Sequence, residues 1–383
     1  MINSRTKRQL EQVDWDFSEH LPGTSKTIHW YPGTFPADIP TTIIQALSKP
    51  EDIVFDPYGG TGTTALEAIR QSRHAMLVEA NIIACLASYV AGGTLLLKGI
   101  QQDLPKALCG HVRKVVERLY SGSKIQLSLD TGADIGIFID GCLEKAIHPK
   151  PKVFLENFRW APNYSLPGTW IEKSTLKDVK ALLEAFEDPS LGCFAQLLGK
   201  TMVSAILRPI SSQTQSWGHI ADNVRPKEFV KKEVFPRALQ WLSRFEAMIE
   251  RTAVAPISPA STEECKLVVA LHNWAHGPVE NRGQSAKPSL LVTSPPYAGA
   301  IDYTLAQRLS FYAFGYAEDD LGNLWRTEFG ARRKRNLLHS LEMWAEELAI
   351  ALQIQLENMS PQGYAAFVDR KSTRLNSSHS DRS

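Results

Sequence analysis

Short apolar runs broken by turn-forming residues set the rhythm of this chain near its beginning and again in its last third. Four of them read as buried strands: residues 52–56 ("DIVFD"), 74–80 ("HAMLVEA"), 266–271 ("KLVVAL") and 289–293 ("SLLVT"). Continuous apolar stretches of this length suit strands covered on both faces. A fifth, 364–368 ("YAAFV"), follows "SPQG" and a long amphipathic helical pattern over 337–357. Helical spacing also follows the first two strands, at 63–71 and 82–97. Strand, glycine-rich turn, helix and strand in succession predict an α/β fold built on a parallel sheet.

Between residues 99 and 264 the pattern changes. Helical periodicity dominates, as in "TLKDVKALLEAFED" and "PRALQWLSRFEAMIERT", between loops rich in Pro, Ser and Gln. The block is too long for a crossover connection, so a mainly helical inserted subdomain is expected there. The sheet-forming parts then fall in residues 1–98 and 265–368. The most membrane-like run, 75–97, carries Glu79 and Asn81 near its start. A strand followed by a buried helix accounts for it better than a span.

Composition adds limits. Lys and Arg number 42 against 41 Asp and Glu, a net charge of +1, so binding to nucleic acid would need a local basic face. The five cysteines are scattered, with no CxxC pair, which suits a reducing cytoplasm and speaks against a zinc site or disulfide framework. No metal is expected. The opening "MINSRTKRQLEQVDWDF" has charge but no apolar core, unlike a secretory signal.

Candidate chemistry begins with "DIVFDPYGGTGTTALEAI", where Gly59, Gly60 and Gly62 follow the first strand directly and Thr63 opens a helix. Glycines permit a tight turn and close approach of a ligand, and the helix start offers unpaired N–H groups. No Lys-Ser/Thr follows the last glycine, so this is not a phosphate-binding P-loop. Gly60-x-Gly62-x-x-Ala65 fits the dinucleotide pattern, with Glu79 nineteen residues after Gly60 placed to hold ribose hydroxyls. NAD and S-adenosylmethionine share that arrangement. Asp56 and Pro57 ahead of the glycines favour S-adenosylmethionine, since a carboxylate there can meet a cationic methionine end but would repel a pyrophosphate.

The second feature is the abrupt end of "SLLVT" in Ser294-Pro295-Pro296-Tyr297. Adjacent prolines neither donate to a ladder nor continue a helix, so the chain is held in a rigid corner. "DPYGGTGTT" together with "TSPPY" resembles the class I methyltransferases that modify exocyclic amino groups of nucleic-acid bases. "HWYPGTFPADIPTTII" resembles the segment that precedes the cofactor loop in that family. "SPPYAGAIDYTLAQRLSFYAFGY" and "WRTEFGARRKR" are similar to a group of prokaryotic DNA methylases. The resemblance covers about residues 29–97 and 289–368.

The resemblance implies a Rossmann-like parallel sheet and S-adenosylmethionine as cofactor. It places Asp56, Gly60 and Gly62 on the methionine side, Glu79 on the ribose and Phe35 against the cofactor. Pro57, Gly59 and Thr63 belong to the same loop. It makes Ser294, Pro295, Pro296 and Tyr297 the catalytic corner. An exocyclic amine is a poor nucleophile because its lone pair is delocalised into the ring. Acceptors on its two N–H bonds, the Ser294 hydroxyl and the Pro295 carbonyl, would favour a tetrahedral nitrogen. Tyr297 would stack on a flipped base for ~1–3 kcal/mol. Where the family shows an acidic residue near the adenine, this chain reads "LHNWAHG", which leaves that contact open between His272 and Asn273.

SPPY accompanies cytosine N4 more often than adenine N6 in the family, so cytosine is the expected target. The motif order places 99–264 where a target-recognition region belongs. There, residues 201–240 hold six basic and three acidic side chains, with Arg208, Gln213, Trp217, Arg225 and Lys227 as base and phosphate contacts. Arg332 and Arg333 in "ARRKR" are further phosphate candidates. DNA is the expected partner, with a cognate restriction endonuclease as a second. An RNA methyltransferase, an NAD-dependent oxidoreductase and a non-catalytic binding module are the competing functions. Residues 369–383 read as a polar tail, and "DRKSTRLNSSH" matches a frame through a sequencing-library adapter. The natural sequence is therefore expected to stop near Val368, leaving out the C-terminal hairpin of the class I sheet.

Overall fold

The structure is a computed structural model and describes residues 4–15, 17, 28–122, 133–158, 170–213, 226–257, 265–279 and 286–368. After α1 (Ser4–Glu11) and α2 (Asp38–Leu47), the chain enters β1 (Ile53–Asp56), α3 (Thr63–Arg70), β2 (His74–Glu79) and α4 (Ile82–Ile100). Next come α5 (Leu104–Ser121), α6 (Ala133–Leu143), β3 (Ile147–His148), α7 (Pro151–Leu155), α8 (Lys173–Ala185), α9 (Cys193–Ile210) and α10 (Val234–Arg251). The final third holds β4 (Leu267–Leu271), β5 (Leu290–Thr293), α11 (Tyr303–Ala306), α12 (Arg308–Ala313), α13 (Glu318–Thr327), α14 (Ser340–Glu357) and β6 (Tyr364–Phe367).

The strands form one sheet in the order β3-β4-β2-β1-β5-β6, and every pairing is parallel. β1 and β5 are buried along their whole length, as their uninterrupted apolar sequences require. The chain first builds outward from β1 through β2 to β4, then crosses back to lay β5 on the other side of β1. That reversal leaves a crevice beyond the carboxyl ends of β1 and β5, where α/β sheets receive ligands.

α4 is long and apolar enough to cross a membrane, but its apolar stretch is wholly buried within the protein. Its packing explains the hydrophobic run. The helical block after it joins the same core. Leu66 of α3 and Leu77 of β2 belong to one continuous cluster with Phe194, Leu207 and Phe245 of the block. The block also supplies β3, which extends the sheet by pairing Ile147 with Leu267 and His148 with Val268. This two-residue strand had no signature in the sequence pattern.

Several polar links fasten the block to the rest. Lys98 Nζ donates to the carbonyls of Ile249, Glu250 and Thr252, each at 2.8 Å, and so closes the end of α10. His29 Nε2 lies 2.8 Å from Ser204 Oγ of α9, which donates on to Ser310 Oγ of α12 at 2.7 Å. Burial drives the His29 pKa down to about 4, so the imidazole is neutral. The segment leading to the glycine turn is thereby pinned between α9 and α12.

Candidate active site

The glycine turn leaves β1 at Asp56 and enters α3 at Gly62. Gly62 has φ +89°, and any Cβ there would lie 2.7 Å from Ser88 Cβ, so α3 packs on α4 as closely as it does only without a side chain. Gly60, at φ +49°, points its N–H at the Glu79 carboxylate at 2.8 Å. Asn81 N donates to the same carboxylate at 2.8 Å. Desolvation in this crowded place outweighs those bonds and pushes the Glu79 pKa up to about 7. The buried indole of Trp274 holds the turn from below by donating to the Pro57 carbonyl at 2.7 Å.

Asp56 takes a different position from the one expected of it. Its carboxylate is buried beneath the turn, where it accepts from Thr293 Oγ1 at 2.6 Å and Tyr58 N at 3.1 Å. It does not line the cleft. Burial raises its pKa, and its contact ties the end of β1 to the end of β5. The favouring of one cofactor over another through a cofactor-facing Asp56 therefore finds no geometric basis here.

Beyond Thr293 the Pro-Pro corner is held from several sides. Trp344 Nε1 of α14 donates to the Pro296 carbonyl at 2.9 Å. Tyr297 Oη donates to the Val368 carbonyl at 2.9 Å and lies 2.9 Å from Ser294 Oγ. With the tyrosine proton committed to Val368, the serine is the donor in the second bond. Ser294 thus keeps oxygen lone pairs as acceptors. Ser294 and Pro296 line the cleft, whereas Pro295 and Tyr297 do not. A stacking role for Tyr297 against a ligand is not what its position here provides.

The turn and the corner share one cavity of about 1110 Å³, counting the part open to solvent. Phe35, Pro57, Gly59, Gly60, Thr63 and Glu79 stand on its wall with Ser294 and Pro296, while Gly62 lies behind it. Several wall residues had not been singled out from the sequence. Tyr31 and Tyr303 stack with ring centroids 5.3 Å apart. Glu328, also raised to about 7 by desolvation, accepts from Tyr303 N and Thr304 N. Thr61 is buried on the wall, and its hydroxyl has no hydrogen-bond partner. His272 and Asn273 both reach the cleft, although the His272 ring is engaged with the Gly277 carbonyl at 2.7 Å. Tyr303 lies within "SPPYAGAIDYTLAQRLSFYAFGY" and Glu328 within "WRTEFGARRKR". A long-range meeting of the two segments carries no local signal.

Among the described residues, no Lys or Arg lines this cleft, while Glu79 and Glu328 both do. An acceptor-rich, aromatic wall suits a ligand bearing a cation and polar hydroxyls. The residues present fit an adenosyl sulfonium better than a dinucleotide pyrophosphate.

The expected nucleic-acid contacts are dispersed. Arg208 lies over the Trp30 ring at 4.0 Å, beside cleft-lining Tyr31. Gln213 has a buried amide nitrogen with no partner, and Lys227 is exposed. Trp217 and Arg225 lie outside the described residues. Arg332 is exposed, and Arg333 N is fixed by Asp302 at 3.0 Å. Ile301 bridges to Ala331, so this basic segment runs directly alongside the chain leaving the Pro-Pro corner.

Residues 2–89 match a family of the N6/N4 type described as DNA methylase. The chain resembles the N6/N4 DNA methylases. The methylase match takes in the glycine turn and Glu79 and ends within α4, before the corner at Ser294. The chain is also 46% identical over 43 residues to the type II methyltransferase M.PvuII of Proteus hauseri. That alignment spans 11% of this chain and 13% of the relative's length. No solved structure matches the chain.

Proposed function

We propose that this chain is a DNA methyltransferase that transfers a methyl group from S-adenosylmethionine to the exocyclic amine of a flipped base, cytosine N4 before adenine N6. What carries the reading is that the glycine turn with Glu79 and the corner with Ser294 and Pro296 face one cleft. The cofactor supplies an electrophilic methyl on a sulfonium. Glu79 and the Gly60 turn would hold its polar groups, and the half-buried Glu79 carboxyl would meet its positive charge. Ser294, whose proton is given to Tyr297, accepts from the target amine and draws electron density back onto nitrogen. Tyr297 orients that hydroxyl rather than stacking on the base.

Arg332 and Arg333, in the segment that runs beside the chain leaving the corner, and Arg208, over the Trp30 ring, would supply the cations for phosphate contacts. The relative's type II name supports a restriction-modification setting, and a partner endonuclease and a cytoplasmic location belong to the same proposal. The test is to incubate the protein with labelled S-adenosylmethionine and either DNA or tRNA, then analyse the nucleosides. N4-methylcytosine in DNA, abolished by Ser294→Ala, is expected. Label in tRNA alone overturns the DNA assignment, and N6-methyladenine overturns the choice of base.

A further inference from the structure

α11 begins at Tyr303 with N–H groups that its own N-cap residue does not cap through its side chain. Asp302 directs its carboxylate to Arg333 N instead. The cap comes from 25 residues further on. Glu328 accepts from Tyr303 N at 2.6 Å, from Thr304 N at 3.2 Å and from Thr304 Oγ1 at 2.8 Å. Both carboxylate oxygens are used, so Glu328 acts on the cleft through the segment it holds.

That segment carries the Tyr303 ring, stacked on Tyr31 at an interplanar angle of 25°. Two glycines make room for the pair. A Cβ on Gly33 would approach Tyr303 Oη to 3.1 Å, and one on Gly60 would approach Tyr31 Cε1 to 3.3 Å. The stacked rings therefore stand directly over the glycine turn, on the wall shared with Glu79. They join the segment before the turn to the segment after the Pro-Pro corner.

We propose that Tyr31 and Tyr303 form an aromatic wall that contacts the adenosyl sulfonium ligand, and that Glu328 is the positioning residue holding Tyr303 in that wall. Flat rings beside a cation and a purine supply stacking and cation–π attraction without needing a charged partner. The inference rests on the methyltransferase reading, because it assumes that ligand.

Calorimetric titration of the folded protein with S-adenosylmethionine tests it, alongside thermal melting of each variant. Tyr303→Ala removes the ring but keeps the backbone N–H groups that Glu328 caps, so it separates ligand contact from capping. Tyr303→Ala, Tyr31→Ala and Glu328→Ala are each expected to weaken binding about tenfold, whereas Tyr303→Phe should stay within about twofold of the unaltered protein. Glu328→Ala should lose affinity even after its lower melting temperature is allowed for by titrating well below the melt. Unchanged affinity in a folded Tyr303→Ala or Tyr31→Ala variant would overturn the aromatic wall. Unchanged affinity in Glu328→Ala would overturn the positioning role. No binding by the unaltered protein would sink the functional reading, and this inference with it.

Discussion

At the scale of single residues, Glu79 stands closest to where the sequence placed it, on the cleft wall beside the Gly60 turn. Its spacing from Gly60 was legible because a carboxylate ending the second strand of such a unit has few other places to go. Its protonation was not legible, since desolvation arises only when the surrounding loops meet. Glu79 and Glu328 both hold protons to about 7 in the folded chain, against an ordinary 4.5. Between those values the native state binds protons that the unfolded chain has released, so this contribution to stability falls as pH rises through the window. His29, neutral down to about 4, has the opposite effect below its ordinary 6.5. A variant comparison isolates the carboxyl. Glu79→Gln should lose less stability than the unaltered protein as pH is raised from 4.5 to 7, read from urea midpoints. Parallel curves for the two proteins would contradict the assignment.

Asp56 teaches the complementary lesson. Its place at the tip of β1 was correctly read, but the direction of its side chain depends on Thr293, which is 237 residues away. A hydroxyl at the end of the neighbouring strand offers a short bond inside the protein, and the carboxylate takes it. Tyr297 is similar, because the Val368 carbonyl that receives its proton comes from β6's exit.

At the scale of elements, the five apolar runs read from the sequence are all strands, and α3 and α4 begin where the pattern placed them. Parallel strands buried on both faces leave the strongest imprint a sequence can carry. β3 leaves almost none, having two residues whose pairing is set by β4. Glycines show how differently the same residue is used within helical surroundings. Gly62 combines a left-handed backbone with contact to Ser88, so Gly62→Ala should cost at least about 1 kcal/mol. Gly110, inside α5, faces open space, so Gly110→Ala should add about 0.5–1 kcal/mol. Denaturant melts of both variants check the opposite signs.

At the scale of the whole molecule, the helical block was read as a separate insertion because loop-rich composition and helical periodicity say nothing about whose core is shared. The hydrophobic cluster runs without a break from Leu77 of β2 through Phe194 and Phe245 of the block. β3, Lys98 and the His29–Ser204–Ser310 line add cross-links that a hinged domain would not have. Thermal unfolding should accordingly give one calorimetric transition, with matching calorimetric and van't Hoff enthalpies. Two resolved transitions would show that the block folds on its own.

The two loops that meet at the cleft are each anchored by an indole, Trp274 on the Pro57 carbonyl and Trp344 on the Pro296 carbonyl. Once the other seven of the nine tryptophans are replaced, these two can serve as the protein's own optical instrument, because an indole's emission responds to the bond its N–H makes. In a variant that keeps only Trp274 the light reports on one jaw of the cleft, and in one that keeps only Trp344 on the other, with no dye attached to either.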